Sequence, residues 1–525
     1  GLRGVQFAPD TSEMGLAPVG EKPGSATGSL FLVLPGQCFS IRELKPWLNC
    51  TFILSECSFT IVGETHHQLK MVMMLASLRE YANTLRAAGA HVCYYPLDGL
   101  EGDTFLEQMT RAMKESGGKD LIHFEIEDQP AAQEVSDCAN HLGLKTTILP
   151  SPIFLCSREG FADYLAKESR PRMVSFYRQQ RVRLGMLVDE NGAPTGGQWS
   201  LDAENRRPLA KEVEPPSPRF PRPSESTQQV MRLVAERFST YPGDASRFQY
   251  PVNHRQAKRW LDSFIKERLN LFGDFEDALT TRSDVVFHSL ISPLMNFGLL
   301  DPRQVLTAVF KFHQKNLVPL NSLEGFVRQV IGWREFVRGI YHNFGDEQRN
   351  GNFFNHSSGL TDDWYKGTTG IDPLDHVIQK TQSMGWAHHI ERLMVVGNLM
   401  NLARIHPQAV HQWFMEMYVD SAHWVMGPNV YGMALFSDGG IFATKPYICA
   451  SSYIRKMGDY GKGDWCDVVD GLYWRFVHDH QAYLAKNHRT AMMPRNLARL
   501  KADRRETIFS AADDFLKRKT VIPTV

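Results

Sequence analysis

The chain has 525 residues and equal numbers of basic and acidic side chains, 58 of each, so its formal net charge is zero. Hydrophobic residues make up 43% and charged residues 22%, globular proportions that exclude a disordered, collagen-like or small disulfide-scaffold protein. The balance also excludes a uniformly basic nucleic-acid coat, while leaving room for a local basic face.

The eight Cys are sparse and form no C-x-x-C pair, which argues for buried thiols in a reducing compartment rather than a zinc site. There is no apolar run of 18 residues, so no transmembrane helix is expected. No hydrophobic signal segment opens the sequence. Residues 1–29 lack apolar periodicity and read as an irregular tail. A tail of this kind is what remains of a targeting peptide or of a cloning scar, and it leaves an organellar location, plastid or mitochondrion, open.

Residues 30–151 alternate strand and helix patterns. Leu30 to Leu34 is a short apolar run stopped by Pro35-Gly36. Strands are also expected at Phe52–Leu54, His91–Tyr95, Leu121–Phe124 and Lys145–Leu149, with helices at 67–88 and 131–142. This order predicts a parallel sheet covered by helices, a Rossmann-like α/β domain. No G-x-G-x-x-G follows the first strand, so the dinucleotide fingerprint is missing.

Residues 152–224 read as a connector. It is basic around Arg170, Arg172, Arg178, Arg181 and Arg183, and holds Gly196-Gly197-Gln198-Trp199. Six Pro between 208 and 223 rule out a helix or central strand there. Residues 225–525 show helical periodicity almost throughout and predict a large all-helical domain.

Three strings in that domain carry polar groups on apolar helices. The first, Phe287 to Leu300, contains His288, Ser289, Leu290, Ser292 and Asn296. Its hydroxyls and amides suit either a phosphate or a plain helix cap. The second places Gln329, Arg334 and Arg338 beside Trp333 and Phe336. The third is His388-His389 followed by Arg392 on the same helix face. It is not H-E-x-x-H, so zincin chemistry is unsupported, and each His alone reads equally as a satisfied core residue. Asp420, Trp424, Asn429, Tyr447 and Tyr453 follow.

These strings, together with Phe154 to Arg158, Asp202 to Arg206 and Ser437 to Gly440, resemble the photolyase/cryptochrome superfamily. The closest branch in wording is the prokaryotic (6-4) photolyases with an iron–sulfur cluster. The resemblance runs from about Leu30 to the C-terminus. It implies FAD in a U-shaped pocket of the helical domain. The 287–300 string with Gln329, Arg334 and Arg338 would hold its phosphates and adenine side, Arg392 and Asp420 would face the ring, and Asn429 would complete the cofactor contacts. His388, His389, Asp277, Tyr447 and Tyr453 match lesion-pocket positions, and Trp413 matches the aromatic chain that re-reduces the flavin.

The departures from the branch are also informative. Where cluster ligands are expected, the chain has Gly461 and Asp464. A third ligand is missing near Pro373, and the segment for a fourth is deleted between Cys466 and Tyr473. The resemblance therefore predicts no iron–sulfur cluster and no metal. Met426 replaces an acidic residue near the reactive flavin nitrogen, Phe414 replaces Tyr, and Tyr365 replaces Trp. The turn Pro35-Gly36-Gln37-Cys38 lacks the usual Asp of the lumazine antenna pocket, which puts the antenna in question. Three functions follow: light-driven repair of (6-4) lesions in damaged DNA, a non-repairing blue-light photoreceptor with protein partners, or a scaffold subunit that kept the fold and lost the chemistry.

Overall fold

The computed structural model describes residues 28–97 and 103–522. Most of the expected tail, residues 1–27, lies outside them. Five parallel strands, β1 (Leu30–Val33), β2 (Thr51–Ser55), β3 (His91–Tyr95), β4 (Asp120–Phe124) and β5 (Lys145–Leu149), form one sheet in the order β3-β2-β1-β4-β5. Central β1 is buried on both faces, which is why it reads as an unbroken apolar run. Phe31 and Val33 enter one core with Phe52 and Phe124, while Leu30 and Leu32 enter a second with Met109, Val135 and Ala139. The expected α/β domain is therefore present.

The Gln68–Ala87 helix covers the first face, and every residue from Gln68 to Leu78 is buried. Over this stretch its outer side does not meet water. Lys70 Nζ donates to the Ser421 carbonyl at 2.7 Å, and the His67 ring bonds the Thr381 carbonyl at 3.0 Å, both in the helical domain. The Glu225–Arg237 helix, which begins the helical half of the sequence, also packs on it.

The connector contains two helices, Arg158–Lys167 and Met173–Leu184. No helix or strand lies between Glu204 and Glu225, as the prolines require. Arg181 is fully buried rather than part of a basic face. It binds the carbonyls of Met186, Leu187 and Trp199, and its guanidinium lies 5.0 Å from the centre of the Trp199 ring.

The remaining chain is helical, apart from a two-residue ladder between Gly359–Leu360 and Thr520–Val521. Three stretches widen into π-helical turns: Arg328–Trp333, Glu391–Gly397 and Gly427–Ala434. Such turns occur frequently at functional sites, and these three carry Gln329, Arg392 and Asn429. Gly397 makes the second turn compatible with the third, since a Cβ there would lie only 2.8 Å from Ala434 Cβ. Among the described residues no helix is long and apolar enough to cross a membrane.

Arg338 joins the two domains. It donates to Glu125 at 2.7 Å, to both oxygens of Glu127 at 2.9 and 3.0 Å, and to the Cys156 carbonyl at 3.0 Å. His342 also binds Glu127. Burial opposes ionisation of Glu127, but the His342 hydrogen bond and the Arg338 charge outweigh it and hold the carboxyl well below its usual range. Asp128 receives the amides of His423 and Trp424 at 2.8 and 2.9 Å.

Candidate functional site

Three residues from two distant strings meet at Asp420. Arg392 donates Nη1 and Nη2 to its two carboxylate oxygens at 2.9 and 3.0 Å, and Ser292 Oγ donates to Oδ2 at 2.6 Å. Asn296 Nδ2 donates to the Asp420 carbonyl at 2.9 Å. Arg392 is oriented further by its Nε bond to the Ala387 carbonyl at 2.7 Å, and its guanidinium sits 3.9 Å above the Tyr418 ring. The Arg392 side chain keeps 16% exposure while Asp420 keeps 5%, so the pair has one accessible edge.

The loop before Ser292 is bent by two left-handed residues, Val286 (φ 55) and Leu290 (φ 52). Non-glycine residues at positive φ carry strain and cluster at ligand sites. Trp260 Nε1 holds the Ser289 carbonyl at 2.8 Å, and Arg268 Nε holds the His288 carbonyl at 2.9 Å.

The three imidazoles of His288, His388 and His389 form a second cluster. Rings 288 and 388 stack at 4.6 Å with 15° between their planes. Burial first, then neighbouring positive charge, holds both well below the usual imidazole pKa, so both are neutral. His389 differs. Its Nε2 bonds Asp277 Oδ1 at 2.9 Å and lies 3.8 Å from Glu276 Oε1. Burial lowers its pKa, but the Asp277 hydrogen bond and the two carboxylate charges outweigh that and raise it. Glu276 in turn receives Gln329 Nε2 at 2.7 Å and Asn205 Nδ2 at 3.1 Å.

The three His come close enough together to suggest a metal. The stack argues otherwise: nearly parallel rings aim their lone pairs along nearly parallel planes, not at one shared point. Thiol ligands do not fit either. Cys449 is buried, receives Asn398 Nδ2 at 3.2 Å, and has its pKa pushed far up by burial. The Gly461–Asp464 stretch is followed by the buried Trp465, whose Nε1 donates to the Gly461 carbonyl at 3.1 Å.

Among the other expected site residues, Trp413 is fully buried, donates Nε1 to the Trp364 carbonyl at 3.0 Å, and packs 5.7 Å from Tyr418. Tyr447 lies 5.4 Å under Lys445, and Tyr453 is near enough to Asp277 and Arg206 to feel both charges. Asn429 bonds the Val425 carbonyl of its own helix at 2.8 Å. Gln329 is brought to Glu276, on the His389 side. Arg334 and Arg338 are directed to the Ile153 carbonyl and the Glu125/Glu127 pair, at the domain junction rather than the Asp420 cluster. Glu276, Arg268, Trp260 and Tyr418 were not among the expected residues. Only Tyr418, two positions before Asp420, carried a local signal.

The residues around Asp420 fit a flat cofactor with an anionic arm. Arg392 offers an accessible cationic edge, and the bent loop offers the Ser289 and Leu290 amides, which have no acceptor among the described residues. A parallel sheet joined to a helical domain with this site defines a flavin-binding protein of the DNA photolyase class. Residues 41–250 match the family described as deoxyribodipyrimidine photo-lyase-related protein, and residues 326–450 match the FAD binding domain of DNA photolyase. A (6-4) photolyase of Agrobacterium fabrum is 34% identical over 478 residues, covering 89% of this chain and 93% of that one. The chain belongs to the photolyase/cryptochrome family and is a photolyase/cryptochrome-like FAD-binding protein. Its fold is shared with a bacterial class III photolyase from Agrobacterium tumefaciens (TM-score 0.54, 17% identity, 95% of this chain and 100% of that one). A Synechocystis cryptochrome is also similar (TM-score 0.55, 14% identity, 93% of this chain and 98% of that one).

Proposed function

We propose that the chain repairs (6-4) pyrimidine lesions in DNA, using light and a reduced flavin. The observation that carries this is His389. Its side chain is 43% exposed, it is charged more readily than an ordinary imidazole, and it is backed by Asp277 and Glu276. Tyr453 and Arg206 stand around Asp277, as a pocket for an extruded base requires. The (6-4) photolyase relative agrees with this reading.

FAD bound beside Arg392 and Asp420 supplies the electron. Arg392 and Asp420 would hold its ring, and the 286–292 loop would hold its phosphates. His389 keeps Nε2 on Asp277, so the proton it can transfer to the base is the one on Nδ1. Neutral His388, stacked on His288, forms the wall behind it. Trp413 and Tyr418 form the aromatic path towards Arg392.

In this reading the chain has no iron–sulfur cluster, because Gly461 and Asp464 stand where thiolates would be needed and the Cys449 thiol is buried on Asn398. The Pro35–Cys38 turn, without its Asp, leaves the antenna in question. Beside that turn the Tyr81 hydroxyl donates to the Phe39 carbonyl at 2.6 Å. We place the domain boundaries at residues 151 and 224.

Light-dependent repair of a (6-4) oligonucleotide tests the proposal. A fully reduced, flavin-loaded chain without activity would favour the photoreceptor reading instead. The specific observation behind that alternative is Met426, buried in place of an acidic residue.

A further inference from the structure

Arg268 follows the His254–Glu267 helix and is fully buried. Its Nε donates to the His288 carbonyl at 2.9 Å, but neither Nη1 nor Nη2 has a hydrogen-bond partner. The guanidinium lies 5.3 and 5.5 Å from the ring centres of Trp260 and Phe264, and among the described residues no carboxylate forms an ion pair with it. Burial outweighs the neighbouring Glu267 charge and pushes its pKa down to about 10. A buried cation in this state is costly unless something nearby repays it.

The peptide geometry shows what that is. Arg268 binds the carbonyl of His288, and Trp260 binds the carbonyl of Ser289 at 2.8 Å. In a trans peptide the N–H points opposite to the C=O of the same plane. Drawing these two carbonyls towards the Trp260/Arg268 side therefore turns the amides of Ser289 and Leu290 to the opposite side of the loop, away from Arg268. Among the described residues neither amide has an acceptor. The positive φ of Leu290 lets the chain turn away directly afterwards.

We propose that Arg268 is the positioning residue for the diphosphate of the bound dinucleotide. It orients the Ser289 and Leu290 amides, and its unbalanced charge beneath the loop favours a polyanion above it. This rests on the assignment of the 286–292 loop to the cofactor's phosphates. The ligand chemistry selected is a nucleoside diphosphate arm, so a flavin lacking phosphate gains nothing from Arg268.

The test compares FAD with riboflavin on the flavin-free full chain, following quenching of flavin fluorescence. Wild type should bind FAD much more tightly than riboflavin. Arg268→Met should weaken FAD by about tenfold or more, the order expected for one poorly screened charge several ångströms from a phosphate, and leave riboflavin unchanged. Arg268→Lys, which keeps the charge but not the planar Nε donor, should fall between. If the Met variant does not fold, Arg268→Gln takes its place, and competition by inorganic pyrophosphate on wild type should displace FAD but not riboflavin. Equal losses for both flavins would mean that Arg268 only supports the fold. Unchanged FAD affinity would also overturn the proposal. A wild-type chain that binds the two flavins equally would instead remove the loop from phosphate binding.

Discussion

Arg392 and Asp420 are joined by two parallel hydrogen bonds of 2.9 and 3.0 Å, with the Tyr418 ring 3.9 Å behind the guanidinium. This fork fixes the orientation of the only edge that stays accessible. A bidentate, charge-assisted pair is directional as well as strong.

Arg392→Ala should leave the Asp420 carboxylate nearly buried with Ser292 as its remaining side-chain partner. Breaking a buried pair on one side costs about 3–5 kcal/mol. The purified variant should lose its flavin absorption and melt at a lower temperature. Full flavin occupancy in this variant would remove the fork from cofactor binding.

His389→Ala should lower light-dependent repair by ~100-fold to ~10,000-fold, the usual worth of a general acid, with flavin content retained. Asp277→Asn tests the same donor through pH. The raised pKa of His389 means that its charged form persists above the usual imidazole range and is lost as pH rises through the folded value. Without the Asp277 charge, the alkaline fall in repair should begin at lower pH. Superimposable pH profiles for wild type and Asp277→Asn would contradict this.

Burial pushes the Glu276 pKa up to about 7, from the ordinary carboxyl value of 4.5. The folded chain therefore holds a proton there that the unfolded chain releases between those values. Stability from this group is fully present below about pH 4.5 and is lost as pH rises through 7. The span corresponds to on the order of 3 kcal/mol. Urea denaturation across this range should show the decline in wild type and a flatter profile in Glu276→Gln.

Trp465→Ala should destabilise the helical domain by about 3–5 kcal/mol, the usual cost of emptying a buried aromatic site. Purified wild type should contain no stoichiometric iron or labile sulfide. Iron at one cluster per chain would show that thiols elsewhere assemble it.

The sheet was legible because strands buried on both faces leave short apolar runs, as in Leu30–Val33 and Phe52–Leu54. The Gly359–Leu360 ladder was not, since two residues have no period. The Asp420 cluster was legible through its separate strings. The partners of Arg334 and Arg338 were not legible, because an Arg beside Trp333 reads the same whether it faces a phosphate, a carbonyl or a carboxylate. Their partners, Glu125, Glu127, Ile153 and Cys156, lie after β4, about 200 positions away in sequence, and nothing local announces them. Arg268 and Glu276 escaped for a related reason. Their character comes from what surrounds them in space: unsatisfied donors in one case, desolvation in the other.

The Gln68–Ala87 helix has one side on the sheet and the other on the helical half, with Lys70 and His67 reaching across. The two halves are therefore not interchangeable modules. A gene fragment ending in the proline stretch would produce a half-molecule with a bare apolar helix face and a stranded lysine, prone to aggregate. A protease cut in the same stretch of the finished molecule would leave both pieces gripping each other. The chain can be nicked there without falling apart, but it cannot be built from separately made parts.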